Sequence, residues 1–372
     1  MRIALIVPGG VDRSGERRVI PALLWLMRRL RSRVDLWVFA LRQEARRSRF
    51  TLSGVPVENV GGPFNRTRTV ATLLTAHRKH NFDVLHAFWA GTPGEIAVTV
   101  GGLIRRPVLV HVAGGELVGL PEIGYGGYRT PSGRARRRLV VRTAGRVSAA
   151  SQTVIDSVQR LGRRAERVPL GVGLEDWPPR PPRPRDPTRP ARLVHVGSLN
   201  PVKDQTTMLR ALARLAARGM RFHLDLVGQD TLGGAMQHLA CETGVDQQVT
   251  FHGFLPQRGL RPVVEAADLL VVSSRHEAGP VVLAEAAAVG VPTVGTDVGQ
   301  IRDWAPDAAV AVRVGDPAAL ADAIAALLEN DARRVAIATA AQEWACRENA
   351  DWTADRFSAL YAELHQHEGR SA

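Results

Sequence analysis

Short runs of β-branched and other apolar residues alternate with longer helix-like segments along this chain, and this alternation constrains the fold more than any other feature. In the first half the strand-like runs are Ile3–Val7, Val34–Ala40, Asp83–His86, Val108–Val112 and Val147–Ala150. In the second half they are Leu193–Gly197, Phe222–Val227, Val249–Gly253, Asp268–Ser273 and Pro292–Gly295. Strands that alternate with helices are typical of βαβ units. We therefore predict an α/β fold with two Rossmann-like, doubly wound parallel sheets, whose ligands bind beyond the carboxyl ends of the strands.

A proline-rich segment separates the two halves. Residues 178–190 contain seven prolines among arginines, and such a stretch stays extended and does not pack a core. A chain of 372 residues is also longer than a single compact core favours. We therefore predict an N-terminal domain at residues 1–177, a linker at 178–191 and a C-terminal domain at 192–350. Within the first domain we predict a helix at Glu16–Leu30 with Ser14 as its N-cap.

Cysteine usage and hydropathy indicate a cytoplasmic protein. Cys241 and Cys346 lie far apart, without His or Cys neighbours at metal-ligand spacing. This pattern argues against a disulfide framework and against a zinc site, and it favours a reducing compartment. The apolar run within Met1–Pro8 is too short for a signal peptide, and no run is long enough to span a membrane.

The charge is unevenly distributed along the chain. Residues 1–189 hold 33 Lys and Arg against 14 Asp and Glu, a net charge of +19, whereas the remainder carries −6. Such a field favours an anionic partner for the first half, either a phosphorylated acceptor, an acidic lipid surface on the inner membrane face, or nucleic acid. A solvated surface that is simply rich in Arg explains the same numbers. Aromatic residues make up only 5% of the chain, which provides little material for stacking bases, so we expect no specific nucleic acid.

One arginine-rich segment leaves two interpretations open. If Arg134–Arg146 is helical, Arg134, Arg138, Arg142 and Arg146 form one row. That row could bind a membrane surface or an anionic acceptor, or it could be an ordinary solvated face.

The densest functional signal follows the strand-like run that ends at Ser273. A short loop carries Glu277 and Gly279, and we expect Pro280 to open a helix at its first position. The amides at a helix start lack partners within the helix and lie at the positive end of its dipole, so they favour a diphosphate. Glu285 lies later on that helix, where a carboxylate could accept hydrogen bonds from a ribose diol, and Glu277 could hold a sugar hydroxyl.

This stretch resembles the E-x7-E motif of the retaining glycosyltransferases of the two-Rossmann (GT-B) type, in particular glycosyltransferase family four. Glu277 and Glu285 have the required spacing, and the flanking Gly-Pro, Glu-Ala and Gly-x-Pro elements also match. The resemblance implies two domains that face a central cleft. It also implies a set of donor-binding residues, namely Glu277, Ala278, Gly279, Pro280, Val281 and Glu285.

Two further segments of the second half extend the resemblance. His195–Asp204 is similar to the family's segment that ends in a phosphate-binding Lys, here Lys203, which would stabilise the departing nucleoside diphosphate. The family usually has an Arg where this chain has Ser198, so one of two expected cations is missing from the donor site. The segment with Phe254 and Leu255 is similar to the one whose backbone contacts the nucleobase.

In the first half the resemblance points to a smaller set of residues. Gly15 matches a glycine that allows the loop to approach donor phosphate or acceptor. His86 lies in a segment similar to the family's D-V-(I/L)-H-A-H pattern, and Glu116 falls where the family often has an acidic residue. The resemblance makes both of them candidates for binding the acceptor. His111 could act as a catalytic substitute for the His or Arg that usually precedes Gly114, although a core histidine is an equal alternative. Tyr125 lies in a glycine-rich loop that could bind the acceptor.

The C-terminal segment also matches the family. Residues 351–372 resemble the final helix that crosses back to the N-terminal domain.

The function implied is retaining, metal-independent transfer of a sugar from a nucleotide-sugar substrate, without a cofactor, with Glu277, Lys203 and His111 as catalytic residues. A nucleotide-sugar isomerase or phosphorylase on the same fold, and a non-catalytic binding protein, remain alternatives. A dinucleotide-dependent enzyme is disfavoured because no G-x-G-x-x-G follows Val7.

Overall fold

The computed structural model describes residues 1–62 and 65–369. The chain forms two compact units. Unit 1 comprises Met1–Gly171 together with the C-terminal segment that starts at Ala350, and unit 2 comprises Val172–Asn349. Unit 1 thus ends earlier than the boundary that we placed at residue 177, because the turn that carries the fully buried Trp177 packs within unit 2.

Unit 1 is built on an eight-stranded sheet. Its strands are β1 (Arg2–Val7), β2 (Asp35–Ala40), β3 (Ser48–Leu52), β4 (Val55–Asn59), β5 (Val84–Phe88), β6 (Val108–Val112), β7 (Arg146–Ala149) and β8 (Glu166–Arg167). Their order is β3-β4-β2-β1-β5-β6-β7-β8, and all neighbours are parallel except β3 and β4. This antiparallel hairpin was missed in the sequence. It turns at Ser53 and Gly54, both of which have positive φ angles.

Unit 2 contains a six-stranded sheet in which all neighbouring strands are parallel. Its strands are β9 (Ala191–Val196), β10 (Phe222–Val227), β11 (Val249–Gly253), β12 (Leu269–Val272), β13 (Thr293–Thr296) and β14 (Val310–Val312). Their order is β11-β10-β9-β12-β13-β14. The chain reverses its direction of travel between β9 and β12, which is the point where ligands bind in doubly wound sheets. The two sheets confirm the predicted α/β fold.

Helices connect the strands. They are α1 (Pro21–Leu30), α2 (Asn65–His80), α3 (Thr92–Ile104), α4 (Pro131–Thr143), α5 (Gln152–Gln159), α6 (Gln205–Ala217), α7 (Ala235–Glu242), α8 (Gln257–Glu265), α9 (Val281–Ala288), α10 (Gly299–Trp304), α11 (Pro317–Glu329), α12 (Asp331–Arg347) and α13 (Ala350–Gly369). Short 3-10 turns lie at Gly115–Leu117, Pro121–Ile123 and Asp246–Gln248. Among the described residues, no helix combines the length and the apolar character needed to cross a bilayer.

The first helix begins later than we predicted. Helix α1 starts at Pro21 and not at Glu16, and Ser14 does not cap it. The Ser14 hydroxyl instead accepts the amide N–H of Arg17 at 3.1 Å within a separate turn. Arg18 then adopts a positive φ of 50°, which no helix tolerates, so the chain can become helical only after that residue.

The proline-rich segment at 178–191 has no helix and no strand before β9, but it is not a free linker. The guanidinium of Arg334 on α12 donates to the carbonyl of Arg183 at 2.6 Å, and Gln342 donates to the carbonyl of Arg180 at 2.6 Å. The amide of Arg185 donates to Asp331 at 3.1 Å. The segment is therefore attached along α12 as part of unit 2.

The C-terminal helix belongs to unit 1. Phe357 and Tyr361 on α13 are fully buried in the same apolar cluster as α1 and the central strands. Arg29 and Arg33 of α1 form ion pairs with Asp351 and Asp355 of α13, at 3.0 and 2.8 Å respectively. Apolar packing and charge pairing together attach this helix to α1.

Candidate active site

The loops that follow the strands of unit 2 carry the predicted donor residues. Lys203 lies in the loop from β9 to α6, Glu277 in the loop from β12 to α9, and Phe254 and Leu255 in the loop from β11 to α8. Because these strands are parallel, all of these loops leave the same edge of the sheet. Neighbouring strands β9 and β12 bring the first two loops side by side.

The two neighbouring loops meet in an ion pair between Lys203 and Glu277. Lys203 Nζ lies 2.5 Å from Glu277 Oε1, and the Ser274 hydroxyl donates to the same oxygen at 2.6 Å. The side chains are 24% and 11% exposed, so the pair is partly shielded from solvent but still reachable. No hydrogen bond reaches the other carboxylate oxygen, Oε2, within the described part of the chain, so this oxygen can accept one from a ligand.

Backbone contacts hold the same two loops together. The amide of Arg275 donates to the carbonyl of Val202 at 2.8 Å, and the Ser273 hydroxyl donates to the carbonyl of Lys203 at 2.8 Å. Asp204 accepts the Arg275 Nε–H at 3.2 Å. The ion pair is thus fixed from both sides, so that little conformational freedom remains to be lost when a ligand binds.

Two glycines allow the backbone to approach closely at this edge. Gly228 follows β10, and a Cβ atom there would lie 2.0 Å from the carbonyl oxygen of Gly197. Gly299 has a φ of +50°, and a Cβ atom there would lie 2.4 Å from the carbonyl oxygen of Glu277. Any side chain at either position would displace a loop that carries the site.

Helix α9 starts directly after the Glu277 loop. Pro280 is the residue before the helix and not its first residue, since its ψ of 122° is extended. This corrects the position that we predicted for it. The first amides of α9, from Val281 onward, have no carbonyl four residues earlier within the helix, and they lie at the positive end of its dipole. Ala278 and Pro280 are buried, whereas Gly279 and Val281 are half-buried.

Glu285 lies one turn further along α9 and is only 2% exposed. Burial raises its pKa to about 7, although the hydrogen bond from Gln257 opposes this rise. Gln257 Nε2 donates to Glu285 Oε1 at 2.8 Å. Gln257 and its own partner Trp177 were missed in the sequence, because no spacing pattern connects residues from three separate segments.

His195, on strand β9, is hydrogen bonded to a residue of β12 and to a residue at the start of α6, which follows the Lys203 loop. Its Nδ1–H donates to the carbonyl of Val271 at 2.9 Å, and its Nε2 accepts the amide of Gln205 at 3.2 Å. Burial lowers the pKa of His195 to about 4, so the imidazole is neutral at physiological pH. Gln205 also donates to the carbonyl of Ser198 at 3.2 Å, while the Ser198 side chain is exposed.

The remaining predicted donor residues have an open environment. Phe254 is 50% exposed, which is unusual for a large aromatic side chain, and Leu255 is half-buried.

In unit 1, Gly15 has a φ of +66° in the turn between β1 and α1, where its amide donates to the carbonyl of Asp12 at 2.9 Å. Glycine adopts such a positive φ more readily than a residue with a Cβ atom.

The structure places both predicted histidines of unit 1 in the core. His86 and His111 are 0% exposed. His86 Nδ1 hydrogen bonds to the Tyr361 hydroxyl at 2.6 Å, and His111 Nδ1 to the Ser148 hydroxyl at 3.0 Å. Burial lowers the pKa of both, that of His111 to about 3. For His111 this is the core alternative that the sequence left open, and in this conformation neither imidazole is accessible from solvent.

Glu116 and Tyr125 occupy the loops after β6. Glu116 is 7% exposed and accepts the amide of Ala90 at 3.1 Å, so it ties the end of β5 to the end of β6. Burial raises its pKa, while hydrogen bonds from backbone amides oppose the rise. Tyr125 is half-buried against Gly115, where a Cβ atom would lie 2.5 Å from the tyrosine ring. Glu116 thus holds together the loops that follow β5 and β6, and Tyr125 remains partly accessible to solvent.

The predicted arginine row is shorter than its sequence pattern suggests. Helix α4 ends at Thr143, and Arg146 is the first residue of β7. The exposed row therefore consists of Arg134, Arg138 and Arg142.

Two family models together cover most of the chain, one in each half. The model described as glycosyl transferase 4-like domain matches residues 14–173, and the model described as glycosyl transferases group 1 matches residues 181–344. The second match contains both Lys203 and the Glu277–Glu285 motif.

Two curated relatives are also named as glycosyltransferases. The D-inositol 3-phosphate glycosyltransferase of Thermomonospora curvata is 28% identical over 95% of this chain and 91% of its own length. The enzyme of that name from Corynebacterium efficiens is 33% identical, but the alignment covers 45% of this chain and 42% of the relative.

Solved structures agree in fold. Sucrose-phosphate synthase from Thermosynechococcus elongatus superposes with a TM-score of 0.82, at 17% identity, over 99% of this chain and 100% of the other. The Anabaena protein HepE in complex with UDP superposes with a TM-score of 0.77, at 18% identity, over 98% and 100% of the two chains. At this identity the likeness shows the two-domain GT-B fold alone.

Proposed function

Because the chain belongs to the group 1 glycosyltransferases, we propose that it transfers a sugar from a nucleotide-sugar donor to an anionic acceptor, with retention of anomeric configuration and without a metal ion. One observation carries the proposal: Lys203, in the loop from β9 to α6, lies 2.5 Å from Glu277, whose own loop leads directly into the start of α9. A cation, a fixed carboxylate and free helix amides are the groups that a diphosphate-linked sugar requires.

Each group has a separate role in this proposal. The amides at Val281 and the ammonium of Lys203 bind the diphosphate and stabilise the negative charge that develops when it departs. Glu277 accepts a hydroxyl of the donor sugar through Oε2, while Lys203 and Ser274 hold its Oε1. Glu285 accepts the ribose hydroxyls. Complexes of the Anabaena protein HepE, which shares the fold, with UDP and with UDP-glucose support this class of donor.

In the transfer step the bond between the anomeric carbon and the phosphate oxygen breaks, and a bond to the acceptor oxygen forms. The acceptor proton passes to an oxygen of the departing diphosphate, so the step requires no side chain as a covalent nucleophile. Positive charge from Lys203 and the α9 amides performs the role that a divalent cation performs elsewhere.

The name of the relatives and the charge of this chain support a proposal for the acceptor and for the location. Relatives named D-inositol 3-phosphate glycosyltransferases act on an inositol phosphate, and the first half of this chain carries a net charge of +19 over residues 1–189. We propose a phosphorylated acceptor, with inositol 3-phosphate as the first compound to test, and peripheral attachment to an acidic membrane surface on the cytoplasmic side.

The Glu277→Gln variant tests the site. We expect the variant to fold and to lose transfer by about a thousandfold, because a neutral amide neither pairs with Lys203 nor accepts the sugar hydroxyl as strongly. Transfer is measured as release of nucleoside diphosphate in the presence of inositol 3-phosphate, after a thermal-shift screen of UDP-, GDP-, ADP- and TDP-sugars has identified the donor. Unchanged turnover of Glu277→Gln would refute the assignment.

Glu242→Gln, an exposed glutamate on α7, is the matched control and should retain full activity. Nuclear magnetic resonance of the product reports retention, and turnover in excess EDTA tests metal independence. A product of inverted configuration, or loss of activity with EDTA, would contradict those two parts of the proposal.

A further inference from the structure

Three side chains of unit 2 form a continuous hydrogen-bonded chain that ends on Glu285. Trp177 Nε1 donates to Gln257 Oε1 at 2.6 Å, and Gln257 Nε2 donates to Glu285 Oε1 at 2.8 Å. Trp177 is fully buried and Glu285 is 2% exposed. Hydrogen bonds in such a low-dielectric environment are electrostatically stronger than those in water, and removal of one partner is costly.

The chemistry of Trp177 and Glu285 fixes the direction of the two hydrogen bonds between them. An indole N–H can only donate, and an ionised carboxylate can only accept. The Gln257 amide, which has one donor end and one acceptor end, must therefore turn its oxygen to Trp177 and its nitrogen to Glu285. A rotation of the amide by half a turn would place two acceptors together at one end and two donors at the other.

A second contact fixes the turn that carries Trp177. Arg261, one helical turn after Gln257 on α8, donates to the carbonyl of Asp176 at 3.0 Å. The amide of Trp177 also donates to the carbonyl of Gly173 at 2.9 Å within the turn. The indole is thus attached to α8 both through its own ring and through the preceding carbonyl, so it holds Gln257 in one orientation.

Gln257 leaves most of the Glu285 carboxylate available. A carboxylate offers about four lone-pair positions, and Gln257 occupies one of them on Oε1. Within residues 1–62 and 65–369, Oε2 of Glu285 accepts no hydrogen bond. Two adjacent hydroxyls of a ribose ring match such a carboxylate, because each can donate one hydrogen bond.

We propose that Gln257, oriented by Trp177, is a positioning residue that holds Glu285 to receive the 2′- and 3′-hydroxyls of the donor ribose. This inference rests on the proposed function, since it concerns the same nucleotide site. Without the amide, the carboxylate of Glu285 loses the one hydrogen bond that it accepts among the described residues, and it can rotate about its side-chain torsions.

The direct test compares a ribonucleotide with its analogue that lacks both hydroxyls. Isothermal titration of the full chain uses the tightest binder among UDP, GDP and ADP together with its 2′,3′-dideoxy form. For Gln257→Leu we expect about tenfold weaker binding of the ribonucleotide and almost unchanged binding of the dideoxy form. Trp177→Phe, which keeps the ring packing, should lower the ribonucleotide preference by a smaller factor.

Two controls separate positioning from folding. Gln247→Leu removes an exposed amide that donates to Asp246 at 2.8 Å, and it should leave both affinities unchanged. In a Glu285→Gln background, Gln257→Leu should add less than about a twofold loss, because both changes act on the same contact.

The outcomes distinguish the inference from the function on which it rests. If the wild type prefers the ribonucleotide and Gln257→Leu keeps that preference, or weakens both ligands equally, the positioning role is wrong while the donor site stands. If the wild type binds TDP but none of the three ribonucleotides, the role of Gln257 towards two ribose hydroxyls is wrong while the donor site stands. If it binds none of the four nucleoside diphosphates, the proposed donor site fails and the inference fails with it.

Discussion

Glu285 illustrates how burial changes the chemistry of one residue. A carboxyl group with a pKa of about 7 in the folded protein is largely protonated at mildly acidic pH, whereas in the unfolded chain it is ionised there. The folded state therefore binds the extra proton, and its stability decreases as the pH rises from the unfolded pKa towards the folded one. Because Glu285 is almost fully buried, this contribution amounts to about 3 kcal/mol at most.

Glu285→Gln should remove this pH dependence. We expect the melting temperature of the wild type to carry a component that decreases between about pH 5 and about pH 8, and the variant to lack it. Differential scanning fluorimetry of both proteins across that range measures the difference. Parallel curves for the two proteins would show that Glu285 does not titrate in this window.

The buried histidines have the opposite effect on the pH dependence of stability. His111 has a pKa of about 3 in the folded protein because burial disfavours its charged form. The unfolded chain therefore binds more protons between this value and the ordinary histidine pKa of about 6.5, so stability is lost as the pH falls through that range. The same sign holds for His86, where the charge of His111 adds to the effect of burial.

His111→Gln should reduce the acid sensitivity of unit 1. Glutamine can still reach the Ser148 hydroxyl but does not titrate, so we expect a smaller loss of unfolding free energy between about pH 7 and about pH 5 than in the wild type. Urea denaturation at each pH provides the measurement. The exposed His238→Gln is the control, and an equal change in both variants would exclude the buried imidazole as the cause.

At the level of single elements, the Glu277 loop depends on the glycine that packs against it. Gly299 opens α10 with a φ of +50°, and its missing side chain leaves room for the carbonyl of Glu277. A side chain at position 299 would therefore overlap the backbone of the loop that carries Glu277. This is a property of packing between two loops that are 22 residues apart in the chain.

Gly299→Ala should damage both stability and donor binding. We expect a loss of about 1–3 kcal/mol in unfolding free energy from strain and steric overlap, and weaker nucleotide binding because the loop shifts. Urea denaturation and calorimetric titration measure the two effects. Gly244→Ala is a matched control, since Gly244 also has a positive φ, +70°, but no atom within 4 Å of the added Cβ. Equal nucleotide affinity of both variants would contradict this role of Gly299.

For the proline-rich segment, composition predicts the backbone conformation but not the packing. Its composition predicts an extended chain, and the structure agrees in that respect. Composition does not reveal that Arg334, which is 2% exposed, binds the carbonyls of Arg183 and Asp268 and thereby attaches the segment to α12. A buried guanidinium requires acceptors, and the extended backbone supplies them because it uses few of its carbonyls internally.

At the level of the whole molecule, the charge asymmetry predicts salt-dependent attachment to acidic membranes. The exposed row Arg134, Arg138 and Arg142 on α4 is one candidate contact. Near an anionic surface each arginine contributes about 1 kcal/mol, and this contribution is screened at high salt. We expect sedimentation with vesicles that contain about one-third phosphatidylserine at low ionic strength, and release at about 0.5 M salt.

Replacement of the row by glutamine should weaken vesicle binding by on the order of a hundredfold. The control is the triple replacement of Arg210 and Arg214 on α6 and Arg218 directly after it, exposed arginines of unit 2 at the same spacing. If both triple variants bind vesicles alike, net charge alone explains the attachment. If the wild type does not sediment at all, the membrane proposal is wrong.

Much of the site could be predicted from the sequence because it lies in segments with strict local patterns. The spacing of Glu277 and Glu285 identifies the loop and the helix, and Lys203 precedes the first turn of α6. Gln257 and Trp177 carry no such pattern, since a single amide and a single indole have many roles in proteins. Only their distances of 2.6 and 2.8 Å to their partners reveal the connection with Glu285.

The sequence by itself determined the α/β class, the two sheets and the donor motif, because strand and helix periodicity and the glycine and proline positions are local properties of the chain. Tertiary structure decided which side chains are accessible. It placed His86 and His111 in the core, started α1 at Pro21, attached the proline-rich segment to α12, and connected Glu285 to Trp177 through Gln257. Burial and hydrogen-bond partners depend on residues distant in the chain, so no local pattern contains them.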